Sequence, residues 1–142
     1  MEKDSIARAS VLIEAKAEAV WNALIDPAKI KVYLFGTEAS SDWKEGSPIT
    51  YRGVWKGEAY EDKGRILEVK PGRLLRSTYW SAFSGLPDLP ENYNNVTYQL
   101  IPEGDFTRLS VIQDNNRSEE GRRAAEANWG AVLSAMKDLL EK

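Results

Sequence analysis

The 142-residue chain contains neither cysteine nor histidine. Without cysteine it can form no disulfide, and it offers no thiol for nucleophilic catalysis. Without histidine it lacks the commonest general base near neutral pH and the commonest zinc ligand. Carboxylate, hydroxyl, amide and amine groups remain for any function. The lack of disulfides also favours a reducing compartment, so we expect a cytoplasmic protein.

The chain also lacks an excess of positive charge and a long apolar run. It carries 19 basic and 22 acidic residues, for a net charge of −3, so we expect no nucleic-acid partner. No apolar stretch approaches the roughly 18 residues that a membrane span needs. The N-terminal stretch MEKDSIARAS is charged and has no apolar core, which argues against a signal peptide. This length predicts one domain over residues 1–142 and no membrane insertion.

The N-terminal third predicts one strand followed by two short helices. The segment IARASVLIE alternates between apolar and other residues, which is typical of a strand with one apolar face. KAEAVWNALID then changes to helical spacing. Asp26 and Pro27 end that helix and can begin a second one, with Asp26 as N-cap and Pro27 as its first residue. Trp21 lies beside the apolar stripe of the first helix, either as part of the core or as the wall of a pocket.

The middle of the chain predicts about six strands in succession. Short turns at KEGS, KPGR and PEGD separate most of them, so neighbouring strands should be antiparallel. Gly64 lies inside the longest strand and is expected to form a β-bulge. The predicted strands are TEASSDW, PITYRGVW, EAYEDKGRILEV, LLRSTYWSAF, NVTYQLI and TRLSVIQD, with the loop SGLPDLPENYN before the fifth.

A long helix from about Ser118 to Glu141 ends the chain, and either Asn116 or Ser118 can cap it. Its apolar residues form one continuous stripe along the helix. We therefore predict an α+β fold in which a curved antiparallel sheet of six to seven strands wraps around the C-terminal helix. The two short helices would close one end. The stripe residues are Ala125, Trp129, Val132, Met136 and Leu140.

Four phrases in this order resemble one protein family. They are AVWNALIDPAKIKVYL, DWKEGSPITYRG, DKGRILEVKPGRLLRSTY and NWGAVLSAMKDLL. Together they resemble the activators of the heat-shock-protein-90 ATPase, within the START and polyketide-cyclase superfamily, from about Ala7 to Leu140. The resemblance implies a helix-grip fold with an elongated pocket between sheet and helix. One departure is Ala15-Lys16-Ala17, near which relatives often have proline.

The inward faces of the predicted strands are rich in aromatic residues. These rings could simply fill the interior, although a core built for stability alone would use more Leu, Ile and Val. Apolar walls with a few polar groups are typical of a small-molecule pocket. Gln113 should point inward, where it bonds a tyrosine or the backbone, or else water and a ligand. The predicted pocket residues are Tyr51, Trp55, Tyr79, Phe83, Tyr98, Gln113, Trp129 and Met136.

The sequence predicts no catalytic constellation. It has no Gly-x-Ser-x-Gly motif, no glycine-rich phosphate loop and no calcium-binding loop, so neither a cofactor nor a metal is expected. Arg52 and Arg76 should lie on the outer face of the sheet. Glu58 and Asp62 share a strand face and should be solvated.

Three functions remain open. The aromatic interior favours a binding protein for a small hydrophobic or amphipathic molecule. The family resemblance implies a partner of a heat-shock-90 chaperone. In complete co-chaperones this domain follows a separate N-terminal domain. A chain of 142 residues is too short to contain both domains, so we do not expect it to stimulate the chaperone ATPase. A cyclase- or hydrolase-like enzyme would need an acid deep in the pocket, such as Glu58 or Glu68.

Overall fold

The computed structural model describes residues 6–81 and 83–141; residues 1–5, 82 and 142, which include both ends of the predicted domain, lie outside the described part. One strand, two short helices, six further strands and a long helix follow one another, as predicted. Their bounds are β1 Ala7–Ile13, α1 Ala17–Ile25, α2 Pro27–Tyr33, β2 Glu38–Ser40, β3 Pro48–Trp55, β4 Glu58–Lys70, β5 Leu74–Tyr79, β6 Asn94–Glu103, β7 Phe106–Gln113 and α3 Glu119–Leu140.

The strands form one curved sheet in the order β1-β7-β6-β5-β4-β3-β2. Every neighbouring pair is antiparallel. Strands β2 to β7 therefore follow one another through hairpin connections, and β1 joins the sheet beside β7. The long helix α3 packs across β1 and β7. The predicted α+β helix-grip fold is confirmed.

The starts of α2 and α3 follow the expected capping chemistry. Asp26 accepts a hydrogen bond through Oδ1 from the backbone N–H of Ala28, at 3.0 Å, and Pro27 is the first residue of α2. Ser118 Oγ accepts from the backbone N–H of Gly121, also at 3.0 Å. The cap of α3 is thus Ser118 rather than Asn116. Each cap satisfies an amide that its helix leaves without a partner.

The core lies where α1, α2 and the C-terminal half of α3 meet the sheet. Trp21 is only 7% exposed and packs in this cluster, so of its two possible roles the structure supports the core one. Its fully enclosed members include Ile13, Leu109 and Leu133. In the part of the chain that the structure describes, no helix is both long and apolar enough to cross a membrane.

Gly64 does not form the predicted bulge. It pairs regularly with Ile49, and the register of β4 against β5 shifts further along, between Ile66 and Glu68. Gly64 instead allows a close approach of β5: a Cβ atom there would lie 1.8 Å from the carbonyl oxygen of Thr78. The glycine is required because the two backbones touch, not because the strand bends.

Candidate ligand-binding cavity

A cavity of about 470 Å³ lies between the sheet and the N-terminal half of α3. Its walls come from the inner faces of β3 to β7, from one side of α3 and from the segment just after α2. Its volume lies within the range of about 300–1,000 Å³ that small-molecule sites usually have. The interior of the fold is therefore hollow at this end and solid at the other, where α1 and α2 pack.

The structure brings seven of the eight predicted pocket residues to this cavity. Met136 is the exception: it is fully buried in the core, and it lies about two helical turns beyond Trp129, where α3 packs against the solid part of the interior. Whether the other seven bind a ligand stays a prediction. They are Tyr51, Trp55, Tyr79, Phe83, Tyr98, Gln113 and Trp129.

The wall beneath α3 is a fixed group of Trp129, Tyr98 and Gln113. The rings of Tyr98 and Trp129 meet edge to face, with centroids 5.7 Å apart. Trp129 donates through Nε1 to Gln113 Oε1, at 2.9 Å, and Gln113 donates through Nε2 to Asn116 Oδ1, at 2.7 Å. The amide of Gln113 therefore bonds Trp129 and Asn116 among the described residues, rather than a tyrosine or the backbone. It orients the indole ring.

The mouth of the cavity is a cluster of exposed aromatic rings. Phe83 packs against Trp55 and Tyr60, with ring centroids 5.8 and 5.6 Å away. Trp55 and Phe83 are 56% and 47% exposed. Tyr60 lies directly over Gly53, where a Cβ atom would come within 2.5 Å of the tyrosine hydroxyl, and that hydroxyl lies 2.6 Å from Thr37 Oγ1. These partly exposed rings therefore border the cavity where it meets solvent.

Asp62 is the acid that the sequence did not place correctly. It was expected in solvent, yet it is 7% exposed and lines the cavity. Tyr79 donates its hydroxyl proton to Asp62 Oδ2, at 2.6 Å, and Tyr51 lies directly opposite on β3. The alternation of β4 contained this signal, because Asp62 is in register with the buried Ile66. A carboxylate therefore occupies an aromatic wall.

Glu58 and Glu68, the two acids proposed for the interior, do not reach it. Glu58 is exposed at the β3–β4 hairpin. Glu68 pairs with Lys70 and Arg76, each at 3.4 Å. Arg52 and Arg76 lie on the outer face of the sheet, as predicted. Arg52 bonds Glu61 there, and Arg76 forms an ion pair with Glu68.

The partly buried tyrosines of the cavity remain protonated hydrogen-bond donors. Burial raises the pKa of Tyr51, and the negative charge of Asp62 adds to the effect. Burial is also the largest cause of the raised pKa of Tyr79, and the hydrogen bond from Tyr79 to Asp62 raises that pKa further. For Tyr98, burial again raises the pKa most, and the neighbouring tyrosines contribute. All three phenols are therefore neutral at physiological pH.

Two of these hydroxyls face the cavity without a protein partner. Among residues 6–81 and 83–141, neither Tyr51 Oη nor Tyr98 Oη has a hydrogen-bond partner. No fully enclosed side-chain polar atom of the described residues lacks a partner, so both hydroxyls open into the cavity. Water in the cavity can bond both accessible hydroxyls, and an acceptor atom on a bound molecule would take the place of that water.

In the part of the chain that the structure describes, metal-binding side chains do not cluster. Within the described ranges, no three acidic side chains come together in a group that could hold an ion, and the chain has no cysteine or histidine to add. The cavity can therefore enclose an apolar body, donate hydrogen bonds from two phenols and present one carboxylate.

The fold and the cavity define a helix-grip protein with a chamber under its C-terminal helix. The family model for activator of Hsp90 ATPase homolog 1-like proteins matches residues 14–141. The chain belongs to this family, and the predicted family membership is confirmed. No curated protein matches the sequence.

Solved structures show the same fold. The solution structure of ChR145 from Cytophaga hutchinsonii is 45% identical, with a TM-score of 0.86 over 99% of this chain and 97% of that one. CalU16 from Micromonospora echinospora is 22% identical, with a TM-score of 0.74 over 95% and 83% of the two chains. The Aha1 dimer from Colwellia psychrerythraea is 18% identical, with a TM-score of 0.73 over 96% of both. The latter two establish a shared fold only.

Proposed function

We propose that this protein binds a small hydrophobic or amphipathic molecule in the cavity beneath α3, without chemical conversion of that molecule. The observation that carries the proposal is the pair of unpartnered phenolic hydroxyls, Tyr51 and Tyr98, in a cavity of about 470 Å³. A solid aromatic core would bond these hydroxyls to protein groups, because unbonded ones are costly. Their orientation into open space supports a site for an exchangeable occupant.

The rest of the wall supports an apolar body for that occupant. Tyr98 and Trp129 present ring surfaces on one side, and Val96 and Val132 add aliphatic surface. Burying apolar ligand area contributes about 25 cal/mol for each Å² removed from water. The indole of Trp129 is held by Gln113, so little side-chain freedom is lost when a ligand packs against it, which favours binding.

The two hydroxyls provide the test. In a screen of neutral aromatic compounds with and without a carbonyl acceptor, we expect carbonyl compounds to bind wild-type protein. Tyr51→Phe and Tyr98→Phe should each weaken that binding about fivefold to tenfold, the value of one hydrogen bond of roughly 1 kcal/mol. Compounds without the acceptor should bind each variant as well as wild type. Calorimetric titration measures both.

Tyr93→Phe is the matched control, since it removes a phenol that bonds Asp88 outside the cavity. It should change no ligand affinity. The proposal fails if no compound binds wild-type protein, or if all three Phe variants behave alike.

A further inference from the structure

We infer that the molecule bound in this cavity carries a protonated amine or quaternary ammonium group, which lies beside Asp62 and against the rings of Tyr51 and Tyr79. This inference rests on the proposed binding function and names the chemical class of the ligand. It follows from the charge of the lining and from the arrangement of the rings around the carboxylate.

The charge of the lining has one sign. Asp62 is the only charged side chain among the described residues that line the cavity, where no lysine or arginine occurs. The basic residues nearest in sequence belong to the opposite face of β4. Lys63 pairs there with Asp88, and Arg65 donates to the carbonyl of Gly46. Because the described lining residues include no lysine or arginine, the lining would repel an anionic ligand near Asp62 and attract a cationic one.

The rings beside Asp62 are arranged to receive a cation. Tyr51 lies opposite Asp62 on β3, and its ring meets that of Tyr79 at 5.8 Å and 67°. Aromatic faces attract ammonium groups, and the attraction is stronger in a desolvated site than in water. Tyr79 also orients the carboxylate through its hydroxyl at 2.6 Å. Two rings and a fixed carboxylate thus converge on one part of the wall.

The wall has a second, apolar region for the rest of such a ligand. Tyr98, Trp129 and Val132 line the side of the cavity beneath α3, and none of them carries a charge. A molecule with a cationic end and an aromatic or aliphatic body would match both regions. A molecule with a carboxylate end would match only the apolar region.

A series of three ligands with one skeleton tests the inference. The ligands are (2-naphthylmethyl)trimethylammonium, its neutral isostere with carbon in place of nitrogen, and 2-naphthylacetate. Each is titrated into protein loaded with the neutral fluorescent probe N-phenyl-1-naphthylamine, and displacement is measured. We expect the ammonium compound to bind at least tenfold more tightly than the neutral isostere, and the carboxylate at least tenfold more weakly.

Asp62→Asn should reduce the affinity of the ammonium compound to that of the neutral one. The probe and the neutral compound should keep their affinities within about twofold, which also shows that the variant is folded. Glu61→Gln removes the same charge from the neighbouring residue on the outer face and should leave the tenfold preference intact.

The outcomes separate the two proposals. If the probe and the neutral compound bind and the ammonium compound has no advantage, the ligand class is wrong and the binding function stands. The same holds if Asp62→Asn keeps the preference or if Glu61→Gln removes it. If neither the probe nor any of the three compounds binds, the binding function fails and the inference fails with it.

Discussion

Ala125→Trp is expected to weaken the binding of N-phenyl-1-naphthylamine at least a hundredfold. Ala125 lies on α3 one turn before Trp129 and lines the cavity. An indole at this position would occupy the space beside Tyr98 that the probe needs. Filling an existing cavity does not overpack a core, so the free energy of unfolding should stay within about 1 kcal/mol of wild type. Fluorescence titration and urea unfolding measure the two quantities.

Ala127→Trp is the matched control, because Ala127 is exposed on the same helix and does not line the cavity. It makes the same change in helix propensity and should bind the probe as wild type does. Two results would contradict a hollow interior. One is a loss of several kcal/mol of stability in Ala125→Trp, as expected for an overpacked core. The other is unchanged binding of the probe.

Gly64→Ala is expected to lower the free energy of unfolding by about 3 kcal/mol or more, a large effect for the addition of one methyl group. The added Cβ would lie 1.8 Å from the carbonyl oxygen of Thr78. That oxygen belongs to the backbone of β5, so relief requires a shift of the strand that carries Tyr79. Urea unfolding measures the loss, and ligand titration should show weaker binding in the variant.

Gly130→Ala is the control for this substitution. Gly130 lies on the exposed side of α3, where an added Cβ meets nothing within 4 Å. It should raise the free energy of unfolding by about 0.5–1 kcal/mol, because alanine favours the helix over glycine. Equal losses in both variants would show that the contact between Gly64 and Thr78 does not decide the result.

The sequence predicted the elements and their faces because these depend on local spacing. Alternation along β6 and β7 placed Val96, Tyr98 and Gln113 inward, and all three line the cavity. The helical stripe of α3 placed Trp129 on the same side. Periodicities of two and 3.6 residues fix which side chains share a face, and the turns fix which strands are neighbours.

The sequence could not predict what depends on partners far apart in the chain. A glycine inside a strand suggested a bulge at Gly64. The actual reason for the glycine is its contact with Thr78, which lies on another strand and cannot be read from the local sequence. The partners of Gln113 come from the segment after β7 and from α3. Met136 is on the correct face of α3, but the boundary between the hollow and solid parts of the interior falls before it. Periodicity shows which side of an element a residue faces, but not whether that side borders the cavity or the packed core.

The burial of Asp62 also depends on a partner that is distant in the sequence. Its register with Ile66 indicates the inner face, but charged residues are rarely buried unless they are paired. The pairing with Tyr79 arises only when β4 and β5 come together. The residue that distinguishes the cavity chemically is therefore the one that sequence reasoning assigned to solvent.

A crystal structure of the protein under xenon pressure tests most directly whether the space beneath α3 is a chamber. Xenon enters apolar spaces that are large enough to hold it, and water occupies polar ones. We expect xenon, or ordered water or an adventitious molecule in its place, against the rings of Tyr98 and Trp129. An interior with none of these, in which side chains fill the space and the hydroxyls of Tyr51 and Tyr98 both bond protein groups, would contradict the account.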